Sequence, residues 1–417
     1  VLYAFIMFLF FILSLKTKKL ISVFKRILIY AGWFLVLYVT FNIARVNCCK
    51  RQPKYNHSGS NNNKKLALTT SYKPNILLII VDAYPRADAL KTIYNFDNSD
   101  FIQYLELKGF YCASQSMSNY QMTYLSLQSL FGMKLIDNWN DILNQELLNE
   151  EMTYKFINNS YFIKFIKSLN YKYISFSPNM GDRDINKADY KINSNINYSL
   201  NAFESVLVDY SPLAFFLNED NHFKIRRNKL LNQFSFLAGE KMKSLPEPYF
   251  LYAHIMAPHP PFVLNENGDF IKGKDKWKDR GDFDLREGIL SIAEYKKYYI
   301  DSIKFANKKI KRIVENLMSL KSKPVIIIMS DHGSRMIFDV NDRFFVKEKL
   351  FNFLSVYTPH KSAGKIFYKN VTPVNVFPVI LNAYFNANIS LSEDSGFFEH
   401  PPHFIENYSE CGLLETR

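Results

Sequence analysis

The chain has no acidic residue before Asp82, although its first 65 residues hold 11 Lys and Arg. Over all 417 residues there are 52 basic and 39 acidic side chains, a formal charge of +13. Setting the 11 aside leaves 41 bases against the same 39 acids, so the remainder is nearly neutral. A nucleic-acid binder needs a basic face on its folded domain, and no nucleic-acid partner is expected here. Cysteine is scarce: four in the whole chain exclude a disulfide scaffold. Cys48 and Cys49 read as idle, and Cys112 and Cys411 cannot be judged as a pair. With 14 Gly and 16 Pro the chain is neither collagen-like nor disordered. No internal repeat or heptad stands out.

Long apolar runs do occur, and they lie at the start. Val1–Leu15 is apolar except for Ser14. The chain opens on Val rather than Met, so this run reads as the visible end of a longer apolar helix. Ile27–Ala44 is 18 residues, apolar apart from Thr40 and Asn42, close to the roughly 20 that cross a hydrocarbon core. Between them Lys16–Arg26 carries 5 bases in 11 residues, while Arg45–Lys65 carries 6 in 21. The denser loop belongs on the cytoplasmic side. Residues 1–45 are therefore expected to form a transmembrane helical hairpin with its first helix truncated. The polar stretch 46–65 reads as a linker, and 66–417 as a domain outside the cytoplasm. A cleaved signal peptide fits badly, because there are two runs and no small-residue cleavage site.

Within 66–417, Asn75–Val81, Tyr249–Ala253 and Pro324–Met329 are apolar runs, the first and third rich in β-branched residues. That is the pattern of strands covered on both faces. Helical spacing appears between them at Phe101–Lys108, Tyr124–Phe131 and Ala293–Met318. The alternation predicts an α/β domain with a mainly parallel central sheet flanked by helices. Residues 134–248 give little beyond mixed helix.

Each apolar run leads into side chains that can bind metal or move a proton. The first ends in Asp82, the second leads to His254 and His259, and the third to Asp331 and His332. Open α/β sheets bind ligands outside the carboxyl ends of their strands, so neighbouring strands would bring these segments to one site. Thr123 lies where a helix should begin, near free backbone N–H groups and the positive end of the dipole. The plainer reading makes Thr123 or Ser126 only an N-cap.

The ordered set of Asp82, Thr123-x-x-Ser126, His254/His259 and Ser-Asp-His-Gly at 330–333 resembles the alkaline phosphatase superfamily. It is most similar to the membrane-anchored, sulfatase-like branch that includes phosphoethanolamine transferases and lipoteichoic acid synthases. The likeness runs from about Pro74 to Asn386. It implies Asp82, Asp331 and His332 as metal ligands, with Thr123 as nucleophile and fourth ligand. His259 and His254 would contact the phosphoryl group or protonate the leaving oxygen, and Arg86, Arg335 and Ser126 would bind substrate. One divalent ion is expected, Zn²⁺ or Mn²⁺ by its mixed O/N ligands, with Mg²⁺ and Ca²⁺ left open. Sulfatases of this superfamily need Cys or Ser in a Cys-x-Pro-x-Arg type motif, converted to formylglycine. Here the matching position is Thr123 and no Arg follows. No Asp-x-x-x-His pair is found, which favours one metal.

The resulting expectation is a metal-dependent phosphotransferase or phosphoesterase acting on membrane lipid head groups or envelope glycans. Two alternatives stand beside it: a sulfate ester hydrolase, and a non-catalytic membrane-anchored binding module of the same fold. The donor, the acceptor and the oligomeric state are not legible.

Overall fold

Six consecutive apolar residues, Ile76–Val81 (β1), are all buried at the centre of a seven-stranded sheet. The structure is a computed structural model describing residues 72–136, 156–176, 188–192, 221–272, 281–400 and 404–408, with scattered helical positions between Val23 and Tyr38. The chain divides into two compact units, Val1–Lys65 and Leu66–Arg417. The other strands are β2 (Tyr111–Cys112), β3 (Lys172–Phe176), β4 (Tyr190–Ile192), β5 (Tyr249–Ile255), β6 (Val325–Met329) and β7 (Leu354–Tyr357), in the order β2-β7-β6-β1-β5-β3-β4. From β6 to β4 every pairing is parallel.

The sheet is mixed rather than parallel throughout. β7 runs antiparallel to β6, and β2 antiparallel to β7. β7 was not legible as a strand because Leu354–Tyr357 is only four residues long. β3 and β4 were missed for a similar reason: KYISF and YKI mix polar and apolar residues over very short spans.

Alternate residues of β1 feed two cores. Leu77, Ile79 and Val81 join a cluster with α1 (Ala87–Tyr94), α2 (Ser99–Leu107), α5 (Asn221–Leu237) and α6 (Ile292–Met318). Ile76, Leu78 and Ile80 join another with α3 (Thr123–Gly132), α4 (Tyr161–Ser168) and α8 (Pro373–Phe385). Since both faces are covered, no polar position is tolerated along β1, hence the unbroken run. A short helix, α7 (Phe345–Leu350), precedes β7, and a separate antiparallel ribbon pairs Gly396–His400 with Phe404–Tyr408.

Register then sets where the strands end. Ile80 pairs with His254 on one side and with Met329 on the other. At the opposite edge Asn75 ties the same three strands together: its Oδ1 accepts from Tyr249 N (3.1 Å) and its carbonyl from Val325 N (2.8 Å). The central exits are thereby level. β5 runs two residues beyond the expected Ala253, so His254 lies inside the strand and not after it.

Val1–Leu15, the linker 46–65 and Cys48, Cys49 and Cys411 lie outside the described residues, and Ile27–Ala44 is described only in part. Among the described residues, no helix is long and apolar enough to cross a membrane.

Candidate metal centre and active site

Asp82 follows β1 directly and is 1 % exposed. Its backbone N–H donates to Ile255 O (2.9 Å), extending the ladder with β5 by one residue. Asp82 Oδ2 then lies 3.0 Å from His254 Nε2, while His254 Nδ1 sits 3.3 Å from the Tyr252 hydroxyl. The next residue, Ala83, adopts a left-handed backbone (φ 58°), which costs a non-glycine residue about 1–2 kcal/mol. Two contacts hold it there: its N–H donates to Asp331 Oδ1 (3.2 Å), and its carbonyl accepts from the Tyr299 hydroxyl.

The exit of β6 is equally braced. Ser330 Oγ accepts from Tyr84 N (2.9 Å) and donates to His332 O. His332 Nδ1 is 2.7 Å from Gly333 O, which assigns the proton to Nδ1 and turns the Nε2 lone pair toward the site. Burial depresses the His332 pKa and the Arg335 guanidinium adds to this, against the opposing pull of the Asp331 and Asp82 carboxylates. Burial alone would raise the Asp82 pKa, but His259, the hydrogen bond from His254 and His332 outweigh it and hold the carboxyl well below the usual range.

Thr123 is the first residue of α3. The N-cap is Met122, and no side chain caps the helix. The Thr123 hydroxyl is thus not spent on capping; it lies 3.2 Å from His332 Nε2. Ser126 is different: it is buried and its Oγ donates to Tyr120 O (2.8 Å), a bond internal to the turn before the helix.

Two buried carboxylate oxygens have no hydrogen-bond partner, Asp82 Oδ1 and Asp331 Oδ2. Both face the same atom. His332 Nε2 is 3.7 Å from Asp82 Oδ1 and 3.5 Å from Asp331 Oδ2. Ligands about 2.0–2.2 Å from a tetrahedral ion stand about 3.3–3.5 Å apart, so separations of 3.2, 3.5 and 3.7 Å around His332 Nε2 fit one small cation. Asp82, His254 and Asp331 also bring one ligand atom each within 4.8 Å of one another, a group able to hold a metal ion. His254 Nε2 is 3.0 Å from Asp82 Oδ2, and His332 Nε2 is 3.1 Å from Arg335 Nη2.

A sulfatase family model matches residues 74–382. The chain belongs to the sulfatase family. No curated protein matches it. Among solved structures, the C-terminal periplasmic domain of EptC from Escherichia coli, in complex with Zn, is similar at 10 % identity over 75 % of this chain and 83 % of that one, with a TM-score of 0.46. The soluble domain of lipooligosaccharide phosphoethanolamine transferase A from Neisseria meningitidis is 12 % identical over 75 % and 88 %, TM-score 0.47. A 2-O GAG sulfatase is 12 % identical over 79 % and 78 %, TM-score 0.45. Chains sharing a fold need not share their chemistry, so the site residues of this family member are taken from its own geometry.

The remaining candidates are placed as follows. His259 N donates to Asp82 O (3.2 Å), and its ring stands at a steep angle to His332 with centroids 6.3 Å apart. Arg335 Nη2 is 3.1 Å from His332 Nε2 and 3.4 Å from Gln121 O, at the mouth of the cluster. Arg86 is brought to a different neighbourhood: Nε donates to Asp88 Oδ1 (2.7 Å), Nη1 to Ser116 O (2.9 Å), and the guanidinium stacks on Phe351. Arg226, from α5, was not legible at all. Its Nη2 lies 3.1, 3.1 and 3.0 Å from the carbonyls of Met256, His259 and Pro260, holding the segment that carries His259. A base in a Lys/Arg-rich helix looks like a solvated surface residue, and no spacing marks it.

Proposed function

We propose that this sulfatase-family chain is a membrane-anchored, metal-dependent phosphotransferase or phosphoesterase that works through Thr123. The observation carrying this reading is the uncapped Thr123 hydroxyl 3.2 Å from His332 Nε2, beside two buried carboxylate oxygens that lack partners. Asp82, Asp331, His332 and Thr123 would hold one divalent cation, Zn²⁺ or Mn²⁺ by its O/N ligands. Such an ion, when bound, polarises a phosphoryl oxygen and lowers the pKa of a nearby hydroxyl.

The chain's own residues supply the rest. Thr123 is the first residue of α3, where the positive end of the helix dipole favours its oxyanion over its neutral form. Thr123 would lose its hydroxyl proton to solvent, and attack by the resulting alkoxide would form the Thr123 Oγ1–P bond as the bond to the leaving oxygen breaks; attack by the acceptor would then break the Thr123 Oγ1–P bond. His259 would give that oxygen its proton, and Arg335 would clamp a phosphoryl oxygen. Arg86 and Ser126 have structural bonds instead, and we assign them to bracing the site. His254 fixes the orientation of Asp82 through Oδ2. Water as acceptor gives hydrolysis, and a glycan or lipid hydroxyl gives transfer.

A lipid head group or envelope glycan is the proposed substrate class, with the domain outside the cytoplasm. Support comes from the first unit, where the helical residues Val23, Ile27, Ile29, Tyr30, Trp33, Phe34, Leu37 and Tyr38 are each more than half exposed. Exposed apolar side chains in that density mark a membrane or protein contact. Sulfate ester hydrolysis, which the family name admits, needs formylglycine from Cys or Ser, and Thr123 does not provide it.

The test is turnover of p-nitrophenyl phosphate, a phosphodiester and p-nitrophenyl sulfate by the full chain, together with mass spectrometry of a trapped intermediate. Phosphate-ester cleavage, a phosphorus-bearing adduct on Thr123 and loss of turnover in Thr123→Ala are expected. Undiminished turnover in Thr123→Ala would refute the assignment of the nucleophile.

A further inference from the structure

Three of the four site segments, those of Asp82, Thr123 and Asp331–His332, converge on residues that no motif singles out, the five from Lys349 to Phe353. Their backbone reaches each segment. Phe351 O accepts from Arg86 N (2.9 Å) and Phe353 N donates to Tyr84 O (3.0 Å), on the segment after Asp82. Lys349 O accepts from Gly333 N and Phe353 O from Ser330 N, both 2.8 Å, on the segment of Asp331 and His332. Leu350 O accepts from Ser118 N (2.7 Å), on the approach to Thr123.

One side chain bridges two of these segments directly. Asn352 is fully buried; its Nδ2 donates to Ser330 O (2.7 Å) and its Oδ1 accepts from Ser116 Oγ (2.9 Å). Ser116 is fully buried as well. Each amide atom thus has a partner on a different segment. An amide offers a donor and an acceptor on one short, planar group, so neither Asp nor Leu could make both bonds.

The topology explains the location. β7 runs antiparallel to β6, so the start of β7 lies beside the end of β6, on the site edge of the sheet.

We propose that Asn352 is a positioning residue, which fixes the distance between the Thr123 segment and the Asp331–His332 segment and so the geometry of the metal centre. The inference rests on the metal-site reading given above. Residues behind a metal's ligands typically change affinity about 10–100-fold when removed, and a change of that size is expected for Asn352→Ala.

The experiment is titration of the metal-free full chain with Zn²⁺, and with Co²⁺ followed by visible absorption. It compares the wild type with Asn352→Ala, Asn352→Asp, Ser116→Ala and a control, Val356→Ala. Val356 is fully buried inside β7, four residues further along the chain and away from the site. Expected are weaker Zn²⁺ binding and an altered Co²⁺ band in Asn352→Ala and Asn352→Asp, a smaller loss in Ser116→Ala, and wild-type binding in Val356→Ala. Should Asn352→Ala not fold, Asn352→Asp and Ser116→Ala carry the comparison. Equal loss in Val356→Ala would make the effect one of general stability and overturn the proposal, as would wild-type affinity in both Asn352→Asp and Ser116→Ala. A wild type that binds neither ion overturns the metal reading and this inference with it, an outcome distinct from the other two.

Discussion

Gly333 offers a direct measure of how tightly the site is built. Its N–H donates to Lys349 O (2.8 Å), and a Cβ placed on it would lie 1.9 Å from Glu348 O, 3.0 Å from Glu348 C and 3.2 Å from Lys349 C. All three are backbone atoms, so no rotamer change relieves the contact. Real Cβ atoms essentially never come closer than 3.0 Å to such a neighbour, so Gly333→Ala must push the two segments apart by about 1.1 Å, the difference between those distances. His332 is the adjacent residue and moves with the segment. A displacement near 1 Å at a reacting group lowers rates by about 10²-fold, and overpacking adds about 1–3 kcal/mol of destabilisation. The assay is Zn²⁺ affinity and phosphodiester turnover, with Gly364→Ala as the control, since its added Cβ would meet nothing nearer than 3.6 Å. If Gly333→Ala matched Gly364→Ala in both affinity and rate, the close approach would not be what positions His332.

Glu348 is fully buried and accepts from Met336 N and Ile337 N (2.7 Å each), Ser334 Oγ and the Tyr94 hydroxyl, with Lys349 Nζ at 3.3 Å. Glu348→Ala strands these donors and a buried cation, and should lower stability by about 3–5 kcal/mol in urea unfolding; a loss under about 1 kcal/mol would contradict this. Burial opposes ionisation of Asp88, but Arg86 and Lys347 outweigh it and hold its pKa below the ordinary 3.8. A depressed carboxyl stabilises the fold above its unfolded pKa and loses that contribution as pH falls through the folded value, so the stability gap between wild type and Asp88→Asn should narrow below pH 3.8; a constant gap would refute the pairing. Burial pushes the Cys112 thiol up to about 12, with the Ser355 hydrogen bond working against it. Iodoacetamide at about pH 8 should therefore spare Cys112 in the folded protein and label it in urea, as read by peptide mass spectrometry.

What the sequence disclosed about the site follows from sheet geometry. Asp82, Asp331 and His332 stand directly after long apolar strands, and a parallel sheet gathers strand exits at one edge. An unbroken run such as ILLIIV announces the strand, and the next residue is then placed. Thr123 was ambiguous for a local reason: helix caps and nucleophiles use the same residue types, and only the structure shows that Met122 occupies the cap. His254 was placed one step too late, because its neighbours do not reveal that β5 continues to Ile255. Arg86, which the resemblance makes a substrate-binding residue, has its guanidinium held by Asp88, two residues on.

The supporting residues were illegible for the complementary reason. Lys349–Phe353 precede a strand, and the habit of inspecting strand exits passes over them. Reversing one strand brings its entrance to the edge where its neighbours end, so β7 sets that segment beside the proposed metal ligands. A fully parallel sheet would put another strand exit there, with a loop of its own to stabilise. In this chain Asp82, Asp331 and His332 follow parallel strands, and their segments hydrogen-bond to the residues that lead into an antiparallel one. Substitutions at Gly333, Glu348 and Asn352 therefore test the support of the site without removing any proposed metal ligand or the nucleophile.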